Sequence, residues 1–165
     1  DLDNKFLLQV AKAAPMHDLG KIAIEDAVLR KPGKYTDEEY AEMKRHTTKG
    51  VRIVESLLQG VEDEDFVQIA KNVAHYHHEK WNGQGYPKGI AGEDIPIEAR
   101  IMALADVFDA LTSKRCYKPA YSCEKALDMI NNGECGVFSE KMLECVNSAK
   151  KYLFECANRQ YKIDV

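Results

Sequence analysis

Histidines and carboxylates in the first two thirds of this sequence have the types and spacing of metal ligands. His17 and Asp18 are adjacent, His77 and His78 are adjacent, and His46 lies between the two pairs. Imidazole is the commonest metal ligand among side chains, and a carboxylate can bridge two ions. An isolated His-Asp pair also occurs by chance as a capped helix end or a surface pair, so this dipeptide alone indicates little.

Helical spacing predicts that His77 and His78 face the protein interior. His77 continues the apolar stripe of the segment before it, and His78 follows Ala74 by four residues. Two adjacent imidazoles are unfavourable to bury without partners, and a shared metal cluster would supply those partners. His75 lies about 160° from His77 on a helical wheel and is therefore left out of the candidate site.

Two further candidates depend on this cluster. His46 has an apolar helical face, where a lone histidine is more often a satisfied core residue than a ligand. Asp106 is flanked by apolar residues and needs a cation or a donor, whereas Asp109 could equally be structural. Together the candidate metal ligands occupy four predicted helices: His17, Asp18, His46, His77, His78 and Asp106. Nitrogen and carboxylate ligands without thiolate suit iron, manganese or zinc.

Cationic side chains near these residues favour a phosphate ligand. Lys21 is one helical turn after Asp18, and Arg115 and Lys118 follow the Asp106 segment. Guanidinium and ammonium groups beside metal ions suit phosphate oxygens. Taken alone, the Arg115 region is better interpreted as a solvated loop; beside a metal centre, phosphate binding is the better interpretation.

The elements that must position these residues are predicted to be helices. Phe6 and Val10 begin an amphipathic helix that runs up to or through residues 17–21, with Pro15 kinking it or resetting its start. Thr36 and Glu39 fit a capping box that opens a helix reaching about residue 58.

The second half of the chain continues this pattern. A helix begins among residues 62–65 and reaches His77, a glycine- and proline-rich loop covers 83–96, and a helix spans about 97–113. Further helices are predicted to start near Ser122 and Ser139. The only candidate strands are a short pair near the loop, so the predicted class is all-α, a single helical bundle.

Composition excludes several classes of protein. The 165 residues carry a net charge of −4, which argues against a polymeric nucleic acid as partner. No apolar run approaches the ~20 residues of a membrane helix, and no signal peptide is recognisable. The five cysteines form no C-x-x-C pair, so we expect reduced thiols and a cytoplasmic location.

The order of four motifs resembles the HD-GYP domain, a subgroup of the HD superfamily of metal-dependent phosphohydrolases. They are HDLGK (17–21), KPGKYTDEEYAEMKRH (31–46), HHEKWNGQGYP (77–87) and IPIEARIMALADVFDALTSKRCYK (95–118). The resemblance implies a helical bundle of the HD-domain type with a long GYP loop. It also implies a bacterial signalling enzyme that hydrolyses cyclic di-GMP to the linear dinucleotide or GMP, using two or three divalent ions, most often iron or manganese.

The resemblance also implies roles for individual residues. The six candidate ligands would hold the metals, Asp18 would bridge them, and Asp18 and Lys21 would be catalytic. The substrate would be contacted by Lys21, Tyr86, Arg115 and Lys118. The loop is expected to dock a cyclase domain, and a sensor or receiver domain is expected in the full-length protein.

One departure from the family leaves alternatives open. The family has a further ligand histidine upstream of HD, and members with three metals add a glutamate. Residues 1–16 contain neither. We therefore expect residues 1–165 to be a single domain that lacks the N-terminal helix or helices. The alternatives are a phosphohydrolase for another cyclic dinucleotide or nucleotide, and a catalytically incomplete module used for binding.

Overall fold

Helices form all the regular secondary structure of the described residues. The structure, a computed structural model, describes residues 2–114 and 120–160. Its α-helices are α1 (Asn4–Ala13), α2 (Asp26–Leu29), α3 (Asp37–Lys44), α4 (His46–Leu57), α5 (Glu64–Tyr76), α6 (Ile97–Thr112), α7 (Cys123–Asn131), α8 (Glu140–Ser148) and α9 (Lys150–Gln160). The predicted all-α class is confirmed, and the short strand pair is not found within these ranges.

Polar residues cap five of the helices at their N-termini. The capping side chain of each accepts a hydrogen bond from a backbone N–H three residues later: Asp3, Thr36, Asp63, Ser122 and Ser139. At Thr36 the predicted capping box is present, because the Glu39 carboxylate accepts the Thr36 N–H at 2.7 Å in return. A cap of this kind stabilises a helix by about 1 kcal/mol.

The prediction of one helix from the capping box to about Leu58 is wrong, because α3 and α4 are separated at Arg45. Just after the break, three successive side chains, those of His46, Thr47 and Thr48, each donate to the carbonyl three residues earlier. Such donors compete with the backbone bonds of a helix. His46 is therefore the first residue of a helix and not a residue in its middle.

Two other predicted helices also differ from the structure. The first does not run through residues 17–21: α1 ends at Ala13, and Pro15 lies in a short 3₁₀ helix (Ala14–Met16) that follows it. The predicted last helix is two helices, α8 and α9. Near their junction Asn147 and Ser148 donate side-chain hydrogen bonds to carbonyls four residues back, again in competition with the helical pattern.

Helix α5 packs against α1, α4 and α6, and its apolar face forms a first core. The buried members of that core are Val10, Ala13, Val54, Ile69, Ala70, Val73, Ala74 and Met102. A second core holds α6 against the C-terminal helices, with Phe108, Leu111, Ala126, Ile130 and Ala157 buried. Helix α6 therefore contributes to both cores.

Among the described residues, no helix combines the length and the apolar character that crossing a membrane requires.

A close backbone contact joins the segment after His17 to α4. A 3₁₀ helix (Leu19–Ala23) lies against α4, and Gly20 is buried at this contact. A Cβ atom at Gly20 would lie 1.8 Å from the carbonyl oxygen of His46 and 2.6 Å from the amide nitrogen of Gly50. The absence of a side chain at Gly20 therefore allows the Asp18 segment to reach His46.

We expect Gly20→Ala to lower the free energy of unfolding by about 3 kcal/mol or more, because the methyl group would overlap the backbone of α4. Gly50→Ala is the matched control, since a Cβ there would lie no closer than 3.4 Å to its neighbours. Urea unfolding of the metal-free proteins, followed by circular dichroism, measures the difference. Equal stability of the two variants would contradict the close contact.

Candidate metal centre

The six predicted ligands come from four segments that meet at the C-terminal end of α5. His77 caps α5 and His78 follows it, His46 begins α4, and Asp106 lies on α6. His17 and Asp18 join the first two 3₁₀ helices. One ligand atom each from Asp18, His46, His77 and His78 lies within 4.8 Å of the others. The structure thus brings these four side chains together.

Backbone carbonyls orient three of the imidazoles. The Nδ1 atoms of His17, His46 and His77 lie 2.8, 2.7 and 2.9 Å from carbonyl oxygens three or four residues earlier in the chain. A carbonyl oxygen can only accept, so each Nδ1 carries a hydrogen, and in the neutral ring Nε2 keeps its lone pair. Outer contacts of this kind are typical of histidines that bind metals.

The oriented lone pairs face one another in a buried space. Nε2 of His46 is 3.4 Å from Nε2 of His77, and Asp18 Oδ1 is 3.5 Å from the first and 3.8 Å from the second. Burial lowers the pKa of His46, and burial together with neighbouring imidazoles lowers the pKa of His77 to about 3, so both rings are neutral at pH 7.

Asp18 Oδ1 is itself buried and has no hydrogen-bond partner in the described part of the chain. Three electron-pair donors without a proton between them repel one another unless a cation lies among them. The donor set therefore fits a divalent metal ion.

Asp18 is shared between two groups of side chains. Its Oδ1 faces His46 and His77, while its Oδ2 lies 3.3 Å from Nε2 of His17 and accepts a hydrogen bond from the Lys21 ammonium. Burial alone would raise the pKa of Asp18, but the hydrogen bonds and charges of His17 and Lys21 hold it well below its usual range. The carboxylate is therefore ionised, with one oxygen directed to each group of side chains.

His17 and Asp106 form the other side of the centre. Nε2 of His17 is 3.9 Å from Oδ1 of Asp106. Burial would lower the pKa of His17, but the bond to Asp18, the Ala14 carbonyl and the charges of both carboxylates raise it overall. A cation that binds between these groups would thus replace a proton on His17.

Tyr86 lies directly on the centre. Its ring stacks on His78, with centroids 4.7 Å apart and planes inclined by 29°, and it meets the rings of His46 and Tyr40 edge-on at 6.4 Å. Burial raises the pKa of the Tyr86 hydroxyl, which therefore stays protonated at neutral pH. The loop residue predicted to contact substrate is thus adjacent to a predicted metal ligand.

Trp81 joins the loop to the helical bundle. The Arg100 guanidinium of α6 lies over its ring, 5.7 Å from the centroid, and its carbonyl accepts the Gly92 N–H at 2.9 Å. Arg115 and Lys118, predicted to contact substrate, lie outside the described residues.

The sequence interpretation missed Glu79. This residue is buried, and its carboxylate accepts hydrogen bonds from the backbone N–H groups of Lys88 and Gly89. A signal was present, because a carboxylate at the C-terminal end of a helix is disfavoured by the helix dipole and needs another partner.

Comparison with known proteins places the chain among related sequences. A family model described as "HD domain" matches residues 1–135. A protein named "Cyclic di-GMP phosphodiesterase" from Vibrio cholerae serotype O1 is 48% identical over 133 residues, which cover 81% of this chain and 27% of the relative.

Two further relatives carry different names. "Cyclic di-GMP phosphodiesterase response regulator RpfG" of Xanthomonas campestris pv. campestris is 52% identical, covering 72% of this chain and 30% of the relative. "3'3'-cGAMP-specific phosphodiesterase 2" of Vibrio cholerae is 42% identical, covering 82% and 25%. The chain thus spans between a quarter and a third of the length of these relatives.

The pKa shifts predict how stability of the metal-free protein changes with pH. The pKa of His77 falls from 6.5 to about 3 on folding, so between these values only the unfolded chain binds the proton. Stability is then lost as the pH falls, by up to roughly 1.4 kcal/mol per pH unit for one group. His77→Gln should flatten this acid-side loss.

His17 supplies a control of opposite sign. Its raised pKa means that the folded state binds the proton more tightly, so its contribution is present at low pH and is lost as the pH rises. His17→Gln should therefore make the loss of stability with falling pH steeper above pH 6.5, where only the folded state holds this proton. Urea unfolding between pH 7.5 and 4.5 in the presence of a chelator measures both slopes, that of His77→Gln below pH 6.5 and that of His17→Gln above it. A steeper loss below pH 6.5 in His77→Gln, or a flatter loss above pH 6.5 in His17→Gln, would contradict the assignment.

Proposed function

Because the chain belongs to the HD domain family, we propose that it is a metal-dependent phosphodiesterase that hydrolyses cyclic di-GMP to the linear dinucleotide, GMP or both. The observation that carries the proposal is the shared carboxylate of Asp18. One of its oxygens faces His46 and His77, and the other faces His17 and Lys21. This arrangement fits two ions on either side of one carboxylate.

The residues that would hold the ions are the six predicted ligands, in two groups that share Asp18. Two or three divalent ions, iron or manganese by resemblance to the family, would polarise a phosphoryl oxygen and make water acidic enough to act as a nucleophile at neutral pH. His46 and His77 contribute neutral Nε2 atoms that their backbone carbonyls already orient. Little reorganisation is then needed on binding, which favours catalysis by a preorganised site.

Among the described residues, the position of Lys21 beside Asp18 supports a role for its ammonium at the reacting phosphate. Its ammonium bonds to Asp18 and its side chain is 41% exposed, so it reaches both the centre and solvent. In the proposed reaction it neutralises charge on the phosphoryl oxygens as the bond to the leaving oxygen breaks. Tyr86 packs its ring on a guanine or ribose, while Arg115 and Lys118 bind the second phosphate. Docking of a cyclase domain on the loop stays a prediction.

A second candidate substrate is the mixed dinucleotide 3'3'-cGAMP. The observation that favours it is the 42% identity to a relative whose name specifies this dinucleotide. The two substrates differ only in one base, so the metal centre and Lys21 would serve both. The bases themselves, contacted from the loop side, would decide between them.

Substitutions of Asp18 and Lys21 should have different effects on metal and activity. We expect Asp18→Ala to abolish both metal loading and hydrolysis, because both groups of ligands lose their shared carboxylate. Lys21→Ala should keep the metal and lower kcat by about a hundredfold, since it removes only a charge near the phosphate. Metal analysis and a hydrolysis assay on cyclic di-GMP measure these effects.

Lys12, an exposed lysine of α1, provides the control. Lys12→Ala should leave metal content and hydrolysis unchanged. Full activity of Asp18→Ala would refute the assignment of the centre. Tight binding of cyclic di-GMP by the metal-loaded unsubstituted protein, without any turnover, would favour a binding module instead.

A substrate panel tests the choice of dinucleotide. We expect kcat/KM to be highest for cyclic di-GMP and lower for 3'3'-cGAMP and cyclic di-AMP. Adenine lacks hydrogen-bonding groups of guanine, so the polar groups of a guanine site would be left unpaired. Competition between substrates in one reaction gives the ratio directly. A preference for 3'3'-cGAMP would establish the second candidate.

A further inference from the structure

Glu79 binds the second half of the loop, at Lys88 and Gly89, to the end of α5. The residue directly follows the two histidines and has 4% of its surface exposed. Its Oε1 atom accepts hydrogen bonds from the backbone N–H groups of Lys88 at 2.6 Å and of Gly89 at 3.1 Å. One buried carboxylate therefore holds two successive peptide groups of the loop.

Earlier in the loop, Gly85 lies directly against the backbone of Glu79 and Lys80. A Cβ atom at Gly85 would be 2.4 Å from the Cα of Glu79 and 2.4 Å from the amide nitrogen of Lys80. The absence of a side chain allows two backbones to lie this close. The Tyr86 N–H also donates to the carbonyl of His78 at 3.2 Å. Residues 85–89 are thus held against residues 78–80 through their backbone.

Tyr86 lies in the sequence between two contacts of the loop with Glu79. Gly85 lies on Glu79 on one side of the tyrosine, and the Lys88 N–H bonds to Glu79 on the other. Between the two attachments, the Tyr86 ring stacks on His78. The placement of the ring on a predicted metal ligand therefore depends on the attachment of the loop.

We propose that Glu79 is the positioning residue of loop 83–89: it holds Tyr86 against His78, so that the substrate-contacting ring and the metal-binding imidazole keep one fixed arrangement. The part of this inference that concerns substrate rests on the proposed function. The attachment of the loop itself does not depend on that function.

The role requires a hydrogen-bond acceptor at the position of Oε1. The other oxygen, Oε2, is buried and has no hydrogen-bond partner among the residues that the structure describes. An amide nitrogen at that place would therefore break no described bond. Glu79→Gln keeps an acceptor oxygen. Glu79→Ala removes this oxygen and leaves the N–H groups of Lys88 and Gly89 without their hydrogen-bond acceptor.

Trp81 reports on the loop without any need for activity. It is the only tryptophan of the chain and lies two residues before the loop. With Glu79→Ala we expect its emission to shift to longer wavelength and acrylamide to quench it more strongly. Glu79→Gln should restore both properties, and Glu64→Ala, an exposed glutamate at the other end of α5, should not change them.

Steady-state kinetics of the metal-loaded proteins on cyclic di-GMP test the effect on substrate. Glu79→Ala should raise KM about tenfold with little change in kcat or in bound metal, and Glu79→Gln should restore KM. A merely structural role would instead lower the fraction of active, metal-loaded protein at constant KM, and that result would overturn the proposal.

Other outcomes are also decisive. The proposal is overturned if Glu79→Gln exposes Trp81 as much as Glu79→Ala does, or if Glu79→Ala leaves the emission unchanged. If the unsubstituted protein does not hydrolyse the dinucleotide, the proposed function fails, but the Trp81 comparison still decides the attachment of the loop.

A second variant reaches the same contact from the loop. If circular dichroism shows that Glu79→Ala is unfolded, Gly85→Ala replaces it, because its methyl group lifts the loop from Glu79 and Lys80 while the carboxylate remains. We expect the same shift of Trp81 emission and the same rise in KM, with bound metal unchanged. An unshifted emission spectrum in folded Gly85→Ala would overturn the proposal.

Discussion

Repulsion between unprotonated donor atoms is the constraint around which this structure is arranged. Nε2 of His46, Nε2 of His77 and Oδ1 of Asp18 lie 3.4–3.8 Å apart, and the imidazole hydrogens are committed to backbone carbonyls. Such an arrangement is favourable only around a cation. The fold must therefore hold the donors in place against their mutual repulsion, and two well-packed cores with α6 in common provide that support.

Helix ends supply most of the ligands and also fix their orientation. His77 ends α5, where the Val73 carbonyl is available to its Nδ1, and His46 begins α4, with the Met43 carbonyl behind it. Helix ends have carbonyls and N–H groups without helical partners, so a side chain can bond to them without breaking the helix. The same break that separates α3 from α4 thus places His46 correctly.

The sequence predicted the helical class, the family and the set of side chains that meet at the centre, because helical periodicity and motif order are local properties of the chain. The break at Arg45 was missed, since periodicity does not reveal the side-chain hydrogen bonds to carbonyls that accompany it. Glu79 was missed as well, because its partners at Lys88 and Gly89 are set by how the loop folds back. The distances between ligand atoms in the centre could not be predicted either, because they are set by tertiary packing.

The attachment of the loop by Glu79 has an evolutionary consequence. The carboxylate recognises peptide N–H groups, which every residue except proline possesses, so it places no demand on the side chain at Lys88. Gly89 is more restricted, because its φ of +67° favours glycine. Apart from Gly85, which lies against the backbone of Glu79, side chains elsewhere in the loop can therefore diversify while the loop stays in place. Selectivity for different ligands can then evolve by single substitutions, without renewed selection for folding.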